Sequence, residues 1–402
     1  MSRLEFPRLL LISEHFEPSS GATAQLMSDL ARGLHRRGWR LTVLTATPGG
    51  DLEFPVVRLN GPERQAAMAV GVVGKALQGM RFLLGSLLWC LRWGRPGDGV
   101  LIVSNPPFIG LLGPLIRLGR GLPYVFVFQD LFPRSAVLSG VLPAAGPLAL
   151  LWRGLMAAVC GHSRQTVVLS QAMEARLRRD LGRPLPLTVI HNWAVERGNA
   201  NRREQSGFAR EHGYAERFSV QYSGNFGRLH DLLTLLEAAR LLRQEPIQFV
   251  FIGGGAKQRQ IEAYRSGFEL PNVLQMPYQP RQRLPESLAA CDLAAIGLIP
   301  GAEDTVAPCK FYGILASGRG VLLIARRSCD LAQLVLRDGC GLVVEPGEAA
   351  ELAERLQALS RQPDQVWEMG ERSLKLYQER FGLERSLARY EAVLRCLMEP
   401  AG

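Results

Sequence analysis

What this chain lacks narrows it first. Its seven cysteines (Cys90, Cys160, Cys291, Cys309, Cys329, Cys340, Cys396) form no C-x-x-C pair and no His-spaced cluster. Reduced thiols in a cytosolic protein are expected, not a disulfide frame or structural zinc. The histidines His15, His162, His191 and His230 show no ligand spacing, so no metal site is assigned. Nowhere do about 18 uncharged apolar residues run together, which predicts no transmembrane span. The opening Met1-Ser-Arg-Leu-Glu-Phe-Pro7 leads directly into Arg8-Leu-Leu-Leu-Ile12, so a secretory signal is not expected. Zinc-finger spacing, an aromatic RNP-like strand and an arginine-rich tail are all missing, which removes nucleic acid as a partner.

What is present is a globular composition, 47% hydrophobic and 21% charged, over 402 residues. That length suits two domains of about 150–200 residues each. The net charge of +10 favours an anionic membrane surface or a phosphate-bearing substrate. Short apolar runs alternate with helical spacing: Leu9–Ile12, a helix from Ala24 to Arg37, then Arg40–Thr45, Gly99–Val103, Tyr124–Phe128, Thr166–Leu169 and Leu187–Ile190. Polar residues and glycine take over between Ala194 and Phe218, where the linker is placed. The alternation then restarts with Phe218–Tyr222, Gln248–Ile252, Val273–Met276, Leu293–Ile296, Val321–Ile324 and Leu342–Val344. Such runs, separated by helices, predict two mostly parallel sheets covered on both faces. The expected domains are residues 1–195 and 196–382, with a last helix over 383–402 crossing back to the first.

The chemistry concentrates in loops that follow strands. The segment Ala307-Pro-Cys-Lys-Phe-Tyr-Gly-Ile-Leu-Ala-Ser-Gly318 is a turn opening a short helix, with the Lys310 ammonium beside free backbone N–H groups. That pairing suits a phosphate. Tyr222-Ser-Gly-Asn-Phe-Gly-Arg-Leu-His230 is a glycine loop in which Arg228 can add charge for a diphosphate; a glycine turn with exposed polar side chains is its ordinary alternative. Glu17-Pro-Ser-Ser-Gly-Ala-Thr-Ala24, containing Gly21, is the corresponding loop of the first domain and reads either as a ligand loop or as a plain capped turn. Gly253-Gly-Gly255 fails the dinucleotide fingerprint, since Gln258 stands where its third glycine belongs. These glycines instead leave room for a base or ribose. Asp130, just past an apolar strand, can orient or deprotonate a hydroxyl or can cap the following helix. The Arg-flanked apolar stretches Ala66–Trp93 and Gly140–Cys160 are either interfacial membrane helices or core helices.

Taken in order, these pieces resemble family 4 glycosyltransferases of the GT-B fold, closest to the branch that builds O-antigen, colanic acid and other exopolysaccharides. Glu17 to Gly38, Gln129-Asp-Leu-Phe-Pro133, Val189-Ile-His-Asn192, Tyr222 to Gly227, Phe251 to Gly255, Pro308 to Gly318 and Gly341 to Gly347 carry the likeness over nearly the whole chain. The resemblance implies an α/β fold with two doubly wound Rossmann-like domains facing across a cleft. It further implies a retaining, metal-independent transfer without a cofactor, from a nucleotide sugar (UDP favoured, GDP open) to a sugar on a polyprenyl diphosphate. Carried over residue by residue, Pro308 and Lys310 with Gly224, Asn225 and Arg228 hold the diphosphate, and Gly253, Gly254, Gly255, Met276 and Tyr278 line the base. Ser328 and Asp330 face the donor, and Asp130 and Lys310 are the catalytic candidates. A peripheral place on the inner membrane face follows.

The family's two glutamates, eight positions apart, correspond here to Thr305 and Gly313. Its Arg and Lys after the glycine turn correspond to Asn225 and His230, and its common histidine to Gln129. Lys310 then carries more of the phosphate charge than in relatives. Two readings stand beside the transferase: a UDP-sugar 2-epimerase of the same fold, and a non-catalytic sugar-nucleotide-binding member of an assembly complex.

Overall fold

The computed structural model describes residues 7–19, 21–59, 72–143, 146–194 and 202–399. In the first unit, seven parallel strands are β1 (Arg8–Ile12), β2 (Arg40–Thr45), β3 (Val56–Arg58), β4 (Gly99–Val103), β5 (Tyr124–Val127), β6 (Gln165–Val168) and β7 (Leu187–Val189). They stand in the order β3-β2-β1-β4-β5-β6-β7. Every residue of β4 and β5 is buried, as continuous Val, Ile, Leu and Phe runs require in a sheet covered on both faces. The edge strand β3 is only half-buried and too short to stand out from its loop in sequence.

The second unit repeats the plan with β8 (Phe218–Asn225), β9 (Ile247–Gly254), β10 (Val273–Met276), β11 (Leu293–Gly297), β12 (Gly320–Ile324) and β13 (Gly341–Val344), ordered β10-β9-β8-β11-β12-β13. In both sheets the order reverses beside the first strand, at β1/β4 and at β8/β11. Doubly wound sheets bind ligands at that crevice, outside the carboxyl ends of the strands.

The chain divides after His191 and again after Leu383. Asn192 and Ala194, assigned by composition to the first domain, are held in the second: Asn192 Nδ2 donates to Cys309 Sγ at 3.3 Å, and Ala194 packs in that unit's core. The last helix, Leu383–Met398, lies with the first unit, where Arg37 pairs with Glu384 and Glu391 at 2.6 and 2.9 Å. Leu387 of this helix fills the space beside Gly33, which has no room for a Cβ.

The polar stretch read as a linker is largely folded where it is described. Arg203 is buried and donates to Asp292 at 2.6 Å, and the same carboxylate accepts the Ser219 N–H at 2.7 Å. Phe208, Ala209 and Tyr214 join a small core with Val250 and Ile252 of β9. Residues 195–201 lie outside the described residues.

The two Arg-flanked stretches form helices Val72–Trp93 and Pro147–His162, and the helix Leu112–Arg120 packs against both. Residues 66–71, 144 and 145 lie outside the described residues. The first helix buries Phe82, Leu83, Ser86 and Cys90 while turning Leu77, Met80, Leu84 and Leu88 outward with Arg81 and Arg92. Leu88 is 67% exposed, Leu118 on the middle helix 79% and Leu150 on the third 62%. These helices bury one apolar face and expose another. No helix among the described residues is long and apolar enough to cross a membrane.

Candidate functional site

In the second unit the glycine loop and the lysine turn meet. The β8/β9 ladder runs on to pair Gly224 with Gly253 and Asn225 with Gly254. This extension needs glycine: at Gly253, φ is 141° and a Cβ would stand 2.0 Å from the Gly224 carbonyl oxygen. The sequence ended both strands earlier because glycines ordinarily punctuate strands.

Lys310 opens the helix Lys310–Ala316. Its Nζ lies 3.5 Å from the centroid of the Tyr222 ring and 3.8 Å from where a Gly224 Cβ would be. The stem is part-exposed, but Nζ itself is buried and finds no hydrogen-bond partner among the described residues. Burial lowers its pKa to about 7. The ring face offers a cation–π contact in place of a carboxylate.

Behind the tyrosine, His230 Nδ1 lies 2.7 Å from the Tyr222 hydroxyl, 2.9 Å from the Asn225 carbonyl and 3.2 Å from the Gly227 nitrogen, and the Tyr222 hydroxyl donates to the Asn225 carbonyl at 3.1 Å. Lys257 Nζ donates to the His230 carbonyl at 2.6 Å. Burial and then Lys310 lower the imidazole to about 4, so it is neutral near pH 7. A buried cation without a counter-charge, backed by a neutral histidine, is a place prepared for an anion.

Beside it lies a cavity of about 660 Å³ lined by Asn225, Gly253, Gly254, Gly255, Met276 and Tyr278, among others. Tyr278 Oη donates to the Gly254 carbonyl at 3.0 Å, setting its ring along the wall. Asn225 belongs to this cavity and directly follows Gly224, which joins the cavity to the lysine. The residues expected to take the base are therefore gathered next to those expected to take the diphosphate.

The remaining expected residues are more scattered. Arg228 is exposed and makes no hydrogen bond or ion pair among the described residues. The Pro308 carbonyl accepts the Phe311 N–H at 3.0 Å, and Cys309, before the helix, offers no side-chain cap. Ser328 and Asp330 are exposed in the turn after β12, where Cys329 Sγ, not either of them, accepts the Ala332 N–H. Glu303 is buried and accepts from the Gly301 N–H at 2.7 Å and from the Arg326 backbone, Nε and terminal nitrogen at 3.2, 3.0 and 3.1 Å. Its carboxylate is occupied in tying the loop after β11 to the loop after β12. Gly313 has open space at its Cβ, three residues after Lys310 on the same helix face.

The first unit carries a separate cavity of about 600 Å³ at its own switch point. Glu14 and His15 follow β1, Asn105 and Phe108 follow β4, Phe132 follows β5, and Trp152 comes from the helix Pro147–His162. Phe132 and Trp152 meet edge to face at 4.9 Å. Burial pushes the Glu14 carboxyl up to about 7 and the His15 imidazole down; their side chains approach to 3.7 Å.

Asp130 is not among the lining residues: its carboxyl, raised by burial, is hydrogen-bonded to Ser135 of the short helix Arg134–Leu138. Gly21, also in this unit, precedes the helix Ala22–Arg36 with extended backbone. Glu14 was not named from sequence, and His230, named there in the glycine loop and in the place of the family's lysine, was given no role of its own. A carboxylate two residues past a buried strand was the signal used for Asp130, and Glu14 satisfies it equally.

Residues 23–194 match the profile described as Glycosyltransferase Family 4, and residues 217–362 the one described as Glycosyl transferases group 1. The chain is 24% identical over 401 residues to the "Probable glycosyltransferase WbjE" of Pseudomonas aeruginosa, covering 97% of this chain and 98% of that one. Among solved structures it resembles Anabaena HepE in complex with UDP and glucose (TM-score 0.74, 16% identity, 97% and 99% of the chains covered). It also resembles WaaG, a glycosyltransferase involved in lipopolysaccharide biosynthesis (TM-score 0.71, 16% identity, 96% and 99% covered).

Proposed function

The chain belongs to the glycosyltransferases, family 4 by its first unit and group 1 by its second, and from that premise we propose that it moves a sugar from a UDP-sugar onto a lipid-linked glycan, with retention, during cell-surface polysaccharide synthesis. The observation that carries the donor half is the buried Lys310 Nζ beside Gly224, without a hydrogen-bond partner among the described residues, next to a cavity of about 660 Å³ lined in part by Tyr278. A diphosphate at Lys310 with its base in that cavity fills both. As the bond between the sugar's anomeric carbon and the phosphate oxygen breaks, the electron pair goes to the diphosphate. Lys310, protonated by then, stabilises the charge. The acceptor hydroxyl bonds to the same carbon, and its proton leaves to the departing phosphate or to solvent. HepE, a structural neighbour, was solved with UDP and glucose, which supports uridine as the base.

The lipid-linked acceptor and the anionic membrane surface rest on the outward leucines of the three packed helices, with Arg81, Arg92, Arg117, Arg120 and Arg153 beside them. Metal independence stays part of the proposal and is tested by activity in EDTA.

Incubation with a panel of nucleotide sugars tests the reading. UDP release that Lys310→Ala abolishes supports it. Tight donor binding without release of any nucleotide favours the assembly-protein reading instead, and release untouched by Lys310→Ala removes the diphosphate assignment. With a lipid-linked glycan acceptor added to that assay, Asp130→Asn separates a hydroxyl-orienting carboxyl, which loses transfer, from one that serves only the Ser135 bond, which keeps it.

A further inference from the structure

The cavity of the first unit has a chemistry unlike that of the second. It lies at the β1/β4 crevice, and its volume of about 600 Å³ falls within the roughly 300–1,000 Å³ of small-molecule sites. Among the described residues no lysine, arginine or aspartate lines it. Most of the wall is aliphatic or aromatic, and the Trp152 indole N–H is buried without an acceptor among the described residues. Glu14, His15 and Asn105 leave the adjacent strands β1 and β4 and gather on the sheet side, while Gln78 adds one amide from the helix Val72–Trp93.

We propose that this cavity binds an uncharged sugar bearing a methyl group, an N-acetylhexosamine or a 6-deoxyhexose, with its methyl against Phe132 and Trp152 and its hydroxyls toward Glu14 and Asn105. The proposal rests on the glycosyltransferase reading, in which this sugar is the acceptor. A methyl-bearing sugar covers the apolar wall that a plain hexose leaves facing hydroxyls. A uronic acid places its carboxylate against that wall and beside a second carboxyl, with no lysine or arginine among the described lining residues to meet it. At neutral pH Glu14, held near 7 by burial, is in part a neutral acid able to donate to a sugar oxygen.

Saturation-transfer NMR on the full chain, with the methyl glycosides of N-acetylglucosamine, rhamnose, glucose, glucosamine and glucuronic acid, tests this. The O-methyl common to all five is the internal reference. The acetyl and C6 methyl protons are expected to receive at least about threefold more saturation than that reference, and the glucuronide to bind at least about a hundredfold more weakly. Ala76→Phe, a change at an exposed lining residue, closes the cavity and abolishes the signal, with the melting temperature as a check on folding. Trp152→Phe keeps a ring but loses the N–H and weakens binding about two- to tenfold.

Equal binding of the glucuronide, tighter binding of the glucosamine than of its acetylated form, or signal surviving Ala76→Phe overturns the proposal. Octanol displacing nothing but itself, while no sugar binds, makes the cavity a lipid-chain site and overturns it too. UDP-sugar hydrolysis measured on the same sample keeps the two readings apart. Methyl-sugar binding without hydrolysis defeats the transferase and leaves the cavity assignment standing; hydrolysis without methyl preference does the reverse.

Discussion

Binding of the donor should draw a proton from solvent, and Lys310 sets how much and at which pH. Burial lowers this lysine from 10.5 to about 7 in the donor-free protein, and at about 1.4 kcal/mol per tenfold change roughly 5 kcal/mol stands against the charged form. A nucleotide-sugar diphosphate, which has no group titrating near neutrality, brings the missing counter-charge and restores the ammonium. The uptake then equals the neutral fraction before binding: about 0.1 proton at pH 6, 0.5 at pH 7 and 0.9 at pH 8.

Titration calorimetry in buffers of different ionisation enthalpy reads this number as a slope, and donor affinity should fall close to tenfold from about pH 8 to 9. His230, lowered to about 4, is silent at pH 8, and because burial also lowers Lys257 beside it, the difference between the wild type and Lys310→Met isolates the Lys310 share. Lys310→Met should flatten both the slope and the affinity profile. The same shift acts on stability. The unfolded lysine keeps its proton up to about 10.5 and the folded one releases it near 7, so the unfolded chain holds more protons in that window and the donor-free protein gains stability as pH rises through it. Uptake near zero at pH 8, or the same uptake in Lys310→Met, refutes the reasoning.

Three other outcomes are expected. Gly313→Ala, a change into open space inside the helix Lys310–Ala316, should stabilise the protein by about 0.5–1 kcal/mol in urea denaturation. Glu303→Ala leaves the Gly301 N–H and Arg326 without their acceptor and should cost about 2 kcal/mol in the same measurement, discounted because Arg326 is half in solvent. The protein should float with anionic liposomes at low salt and detach as ionic strength rises. Leu84→Glu with Leu88→Glu should abolish flotation while leaving hydrolysis of the soluble donor unchanged, since both side chains point to solvent.

The strands were readable because a strand buried on both faces has to be apolar throughout, as β4, β5 and β12 are. The folded part of the supposed linker was not readable. Phe208 and Tyr214 are isolated in a polar stretch, and the acceptor of Arg203 is Asp292, far along the chain. Helix Val72–Trp93 was ambiguous for a different reason: composition shows that a helix is apolar, whereas which face meets the sheet depends on packing.

At the candidate site of the second unit the sequence named both the glycine loop and the lysine, since each is a local pattern of turn, charge and following helix. It could not supply the electrostatics. Lys310 has a lowered pKa because its Nζ is buried, ending over the Tyr222 ring of β8 with no carboxylate beside it, a contact between residues far apart in the chain. Glu14 makes the same point in the first unit, where burial beside a cavity walled by distant parts of the chain shifts its carboxyl.

By itself, then, the sequence determined two doubly wound parallel sheets and the loops that carry chemistry, because hydrophobic periodicity and turn residues act over a few neighbours. Which charges are buried, which are left unpaired and which apolar faces meet water was decided only by the tertiary structure, since desolvation is a property of everything packed around a group.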